Sequence, residues 1–197
     1  RKNKKMKKTV KLTALSLALA FTSSLAMAEE NIAFVSADYL FQNHPDRKAI
    51  AEKLEAEFKP TADKLAENKK QIDAKIADVQ KKVEEKVASL QKDAPKLRSA
   101  DIKKREDEIN KFANDEQDVI NKLIAEHDQK AKAFQESYAK RENEETTKMI
   151  ASIQTATNNV AKQKNYTLVL DDRSVVFAVD GKNITEDVLK AIPTQAK

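Results

Sequence analysis

Residues 99–163 read SADIKKREDEINKFANDEQDVINKLIAEHDQKAKAFQESYAKRENEETTKMIASIQTATNNVAKQ. The run contains no glycine or proline, and none occurs anywhere between Lys96 and Val179. Ile102, Ile109, Phe112, Val119, Leu123, Phe134 and Tyr138 recur as a narrow apolar stripe, which Met149, Ile153, Ala156 and Val160 extend. Apolar residues at such steps share one face of a helix. The spacing predicts one uninterrupted helix of about 60 residues, roughly 90 Å long at 1.5 Å per residue. Ser99 reads as its N-cap, with Asp101 in the first turn.

A helix this long needs a partner, and the preceding segment supplies one. From Asp46 to Gln91, Ile50, Leu54 and Phe58 open a second stripe; Leu65, Ile72, Ile76, Val79, Val83, Val87 and Leu90 continue it near the coiled-coil period. Pro60 falls inside, removes a backbone hydrogen bond, and predicts a kink or break there. Lys92-Asp93-Ala94-Pro95-Lys96 predicts the turn of a hairpin. Residues 46–163 thus form a helical-hairpin tentacle with its tip near 92–98. Between Lys59 and Lys140 only 17 of 82 residues are Leu, Ile, Val, Phe or Tyr. At about 25 cal/mol per Å² such a seam gains little against chain entropy.

The two ends of the chain change character. Residues 31–36, NIAFVS, read as a short strand; DYLFQN at 38–43 reads as a brief helix ended by Pro45. Near the C-terminus, Tyr166–Leu170 and Val175–Val179 flank the polar Asp171–Ser174 and predict a β-hairpin. Gly181, the one glycine, suits a positive φ. A last helix follows from Asn183 to Ile192, capped by Asn183 with Glu186 in capping-box spacing or by Thr185, and stopped by Pro193. These strands are too few to stand alone, yet apolar on both faces. Residues 29–45 together with 164–197 are therefore expected to form a β-rich head completed by copies of the same chain, with Ile32, Phe34, Leu168, Leu170, Val176 and Phe177 at its oligomer contacts. The fold class is α+β, mostly α: a long coiled-coil-like hairpin arm on a small β head.

Residues 1–28 read as an export leader. Seven bases and no acid lie in residues 1–11, an apolar run of about a dozen residues follows, and Ala26-Met27-Ala28 precedes Glu29. Met6 opens the usual leader start MKKTVK. Cleavage between Ala28 and Glu29 is expected, and the periplasm is the expected compartment. Removing the leader takes the charge from +5 to a slight excess of acid, 30 bases against 32 acids. The basic balance of the full chain is thus mostly the leader, and with few aromatics it gives no case for nucleic acid. There is no cysteine, so no disulfide holds the exported chain.

One glycine rules out phosphate loops, dinucleotide fingerprints and nucleophile elbows. No pair of carboxylates is singled out for acid–base work, so no enzymatic activity and no cofactor are expected. His44 and His127 lie on different elements without metal-ligand spacing, and each reads as a solvated helix flank. Charge is uneven along the arm: residues 81–105 hold nine bases and four acids, residues 106–145 twelve acids and six bases. The tip residues Lys92, Lys96, Arg98, Lys103, Lys104 and Arg105 form a basic cluster. It reads either as an ordinary solvated helix surface or as a patch for transient contact with anionic membrane or lipopolysaccharide.

IAFVSADYLFQ near the N-terminus, IQTATNNVA late in the long helix and LVLDD with SVVFAVDGKNITEDVLKAI at the end resemble the Skp (OmpH-like) periplasmic chaperones. That resemblance implies a homotrimer in which a β-barrel head carries three helical tentacles around a cavity. It further implies that unfolded outer-membrane proteins are held there without ATP. Phe112, Val119, Leu123 and Phe134 are candidates for contact with such clients; the plainer role for each is to hold the two arm helices together. The arms are longer than is typical of that family, and the processed chain is slightly acidic where familiar members are basic. The competing reading is a structural coiled-coil spacer or tether in the envelope. The sparse seam, Pro60 and the lack of a lipidation cysteine weigh against it.

Overall fold

The computed structural model describes residues 30–194. The leader and the cleavage residues Ala26, Ala28 and Glu29 lie outside the described residues. All contacts below lie within the unit that begins at Asn31.

The elements run β1 (Ile32–Val35), α1 (Ala37–Gln42), α2 (Arg47–Asp93), a 3₁₀ turn (Ala94–Lys96), α3 (Ser99–Gln163), β2 (Leu168–Asp171), a second 3₁₀ turn (Asp172–Ser174) and α4 (Thr185–Ala191). Two of these dominate: α2 has 47 residues and α3 has 65, roughly 70 and 97 Å of helix. They run antiparallel and form the arm. Cross-arm ion pairs set one register along it: Lys53–Glu145, Glu57–Arg141, Lys75–Glu116 and Asp93–Arg105.

The arm's interior is thin, as its composition dictates. Leu54, Ile72, Val79 and Leu90 of α2, and Ile120 and Met149 of α3, are buried. The seam of α3 passes through Ile120 and not through its neighbour Val119, which is 47% exposed. A strict heptad drifts by about 20° per repeat on a straight helix, so a stripe drawn at that period slides off the buried line. Helix α2 also runs unbroken through Pro60. Pro60 and the carbonyl-bearing Ala56 one turn before it are both exposed. The position is open to solvent, where a carbonyl without its helical donor costs little, and the expected break does not occur.

Both ends of α3 differ in detail from expectation. Arg98, not Ser99, occupies the N-cap, with no side-chain bond to the helix; Arg98 instead pairs with Asp101 in the first turn at 2.9 Å. At the other end Asn165 takes φ 57°. The Tyr166 N–H donates to Ala161 O and the Asn165 N–H to Lys162 O, a Schellman closure in which asparagine stands where glycine is usual.

In the head, β1 and β2 pair in parallel, Ile32 opposite Leu168 and Phe34 opposite Leu170. The other edge of β1 is taken by the 182–184 backbone: the Phe34 N–H donates to Lys182 O and the Ile184 N–H to Phe34 O. The expected β-hairpin is absent. Residues 172–174 turn into 3₁₀ helix, and 175–179 follow without a strand. Val175 is half-buried, but the rest of the apolar run stands out among the described residues: Val176 is 103%, Phe177 84% and Val179 60% exposed. Gly181 does take a positive φ, 85°. Helix α4 begins at Thr185 with Ile184 at the N-cap position, so the capping box does not form. Asn183 Oδ1 accepts from the Thr185 N–H at 3.0 Å, Thr185 Oγ1 accepts from the Ser36 N–H at 2.9 Å, and the Glu186 carboxylate pushes the Tyr39 phenol pKa up.

Candidate functional site

The strand period divides the sheet into two faces. Ala33, Val35 and Val169 face inward, against a core of Leu40, Ala156, Val160, Ile184, Val188 and Ile192. Leu40, Ile184 and Val188 are fully buried there. The other face carries Ile32, Phe34, Leu168 and Leu170. The first two and Leu170 are half-buried and Leu168 is exposed. Four of the six residues assigned to oligomer contacts thus stand side by side on one apolar face. Val176 and Phe177, from the segment that follows β2, stand exposed.

The joint between head and arm holds a group that sequence reading misplaced. His44 is buried, 4% exposed, and is no solvated flank. Its Nδ1 accepts the Asp46 N–H at 3.1 Å, which leaves the proton on Nε2 to be donated to Ser152 Oγ at 2.6 Å. Ser152 Oγ in turn donates to Met149 O at 2.8 Å. Burial pushes the imidazole pKa down, with the Asp46 carboxylate opposing. The ring goes inside because the residues between α1 and α2 turn the chain against α3. His127, on the arm, is half-buried beside Ile72 and Leu123, and its Nδ1 finds no protein partner.

Just above the joint, Arg141 gathers three carboxylates: Glu57 across the arm and Glu144 and Glu145 on its own helix. Glu145, 5% exposed, also receives Lys148. These bonds pull the Glu57 and Glu145 carboxyls below their usual range and push the guanidinium further up. One turn away, Phe58 meets Phe134 and Tyr138 edge-on, with ring centroids at 5.7 and 5.1 Å.

The four client-contact candidates do not form one patch. Phe134 sits in that aromatic group, and Phe112 is half-buried under the Lys86 ammonium, 5.1 Å from its ring. Val119 and Leu123 lie outward, with Ile124 beside them at 38% exposure. At the tip, Arg98 and Arg105 are engaged by Asp101 and Asp93. Lys92, Lys96, Lys103 and Lys104 are exposed and form no ion pair among the described residues. No group of three or more His, Cys, Asp or Glu suited to a metal occurs among the described residues.

Residues 31–192 match the family described as outer membrane protein (OmpH-like). The chain belongs to the Skp/OmpH-like family. Its similarity to curated relatives extends along almost the whole sequence. It is 73% identical to "Outer membrane p25" of Pasteurella multocida over 98% of this chain and 100% of that one. It is 62% identical to "Outer membrane protein 26" of Haemophilus influenzae over 98% of each. "Chaperone protein Skp" of Photorhabdus luminescens is 34% identical over 95% of this chain and 99% of its own. The Skp/OmpH-like match covers β1 through α4, so the head and both arm helices fall inside it.

Proposed function

We propose that this protein is an ATP-independent periplasmic holdase chaperone that shelters unfolded outer-membrane proteins between its helical arms. Membership of a family with members named chaperones supports the chaperone role. The observation that carries the finer reading is the arm surface. Apolar side chains are thinly spread among charges, with Val87, Val119, Leu123, Ile124 and Tyr138 all between 37% and 47% exposed. An unfolded membrane protein offers alternating apolar side chains and unpaired backbone. Many weak contacts along several arms cover such a chain without locking it, and their affinity comes from avidity.

Several arms require several copies. The outer face of Ile32, Phe34, Leu168 and Leu170, together with exposed Val176, Phe177 and Val179, leaves an apolar surface of the kind that a monomer rarely shows to water. A homotrimer whose heads share these residues buries that surface and provides three arms around a cavity. The basic run of residues 1–11, the apolar stretch after it and Ala26-Met27-Ala28, read as an export leader, support the periplasm as its compartment. The unpaired lysines of the tip, Lys92, Lys96, Lys103 and Lys104, suit passing contact with anionic lipid or lipopolysaccharide.

The deciding experiment dilutes a urea-unfolded porin into buffer with the purified protein and no nucleotide. Suppressed light scattering near equimolar trimer is the expected result. Unchanged aggregation at several-fold excess would leave the protein as a spacer or tether.

A further inference from the structure

Between the arm helices, next to the aromatic group, lies a cleft of about 440 Å³. Phe58, Leu65 and Phe134 supply its apolar lining, and Lys64 and Lys130 stand at its edge, one from each helix. These two lysines differ from Lys59, Lys69 and Lys132 on the same stretch of arm. Lys59, Lys69 and Lys132 each have an acid four residues on, in Asp63, Asp73 and Glu136, and each pairs with it. Lys64 has Asn68 at that position and Lys130 has Phe134. Neither ammonium forms an ion pair among the described residues.

Two cations outside any ion pair, beside an aromatic-lined cleft, specify a ligand chemistry. Ring edges and faces of Phe58 and Phe134 favour another aromatic ring over an aliphatic side chain. The lysines favour carboxylates on the residues flanking that ring. We infer that this cleft binds an aromatic side chain of an extended, unfolded polypeptide whose neighbouring residues are acidic. The inference rests on the holdase reading and adds to it an anchoring point with a preference, close to the joint between arm and head. The weak contacts farther out then follow from a client segment already seated.

The chain has no tryptophan, so a client peptide can carry the signal. The probe is a blocked decapeptide with one Trp between two Asp residues, and its twin has Asn in both places. The purified protein is titrated into each while Trp emission is followed. The Asp peptide is expected to shift to the blue in a saturable way. Its binding is expected to weaken roughly threefold to tenfold in Lys64→Gln/Lys130→Gln, the range of a pair of surface charge contacts. Raising salt should weaken it likewise, while the Asn twin ignores both changes. Both lysines are exposed, so the variant keeps its helices, which circular dichroism checks. Absence of a shift, equal binding of the two peptides, or indifference to the double substitution overturns the inference. The porin assay on the wild-type protein separates the two ideas. Suppressed aggregation with no peptide preference removes the cleft alone, and unsuppressed aggregation removes the holdase reading beneath it.

Discussion

Glu57 and Arg141, 84 residues apart in sequence, meet across the arm with Glu57 Oε1 at 3.0 Å from Arg141 Nε. The same guanidinium holds Glu144 and the buried Glu145, so one side chain ties both helices just beyond the joint. Removing it leaves Glu145 with only Lys148 and the more distant Lys53. Arg141→Ala is expected to lower the Tm of the helical signal by several degrees. Arg141→Lys should recover part of the loss, because an ammonium lacks the planar fork that spans these carboxylates. A thermal melt followed at 222 nm checks both, and equal Tm values for all three proteins would show the tie to be idle.

The joint should respond to mild acid through His44. Its ordinary pKa is 6.5, and in the fold it is held lower. Between those two values the unfolded chain binds more protons than the folded one. The stability conferred by the neutral ring is therefore complete above pH 6.5 and is lost as pH falls through this window. Urea unfolding is expected to show declining stability from pH 7.5 to 5.5. His44→Gln should flatten that decline, at a cost of about 1–3 kcal/mol at pH 7.5 for disturbing the ring's buried hydrogen bonds to the Asp46 N–H and Ser152. The same slope in both proteins would move the response to another group.

Pro60 costs the arm stability that alanine would return. A proline inside a helix is worth about 3 kcal/mol less than alanine, and the site is exposed, so no packing stands in the way. Pro60→Ala is expected to stabilise the arm by roughly 1–3 kcal/mol, read as a higher urea midpoint with an unchanged m-value. A loss of stability would mean that the surrounding arm depends on the interrupted hydrogen bond.

Val176 tests the shared head. Among the described residues it has little contact to lose, being 103% exposed. Val176→Asp should therefore leave the monomer's fold intact and dissociate the proposed trimer. Sedimentation velocity showing monomers with undiminished helical content is the expected outcome. An intact assembly would place the contact surface elsewhere.

The long elements were legible because their signals are long: α3 has 65 residues without Gly or Pro, and its length and partner follow from periodicity alone. Single positions were less so. Val119 and Ile120 are adjacent and similar in character, and only the true helical pitch decides which is buried. Pro60 obeys its local penalty but sits where water relieves it. The run at 175–179 looks like a strand because a strand is what its side chains suit, yet a strand needs a neighbour, and the described residues provide none. His44 was misread for a different reason: its burial arises from the turn between α1 and α2 meeting α3, a relation between residues 44 and 152 that no local pattern records.

The parallel pairing of Ile32 with Leu168 governs the order in which the molecule can be made. β1 emerges early during synthesis, and its neighbour follows only after the entire arm. Until then the N-terminal strand has no ladder, Ala33 and Val35 have no α4 or β2 to cover them, and only the helices, whose contacts are local, can form. A chain stopped short of Leu168 would be all limb, with a sticky, unmatched beginning. Closure of the sheet is thus a late event that reports the arrival of a full-length chain.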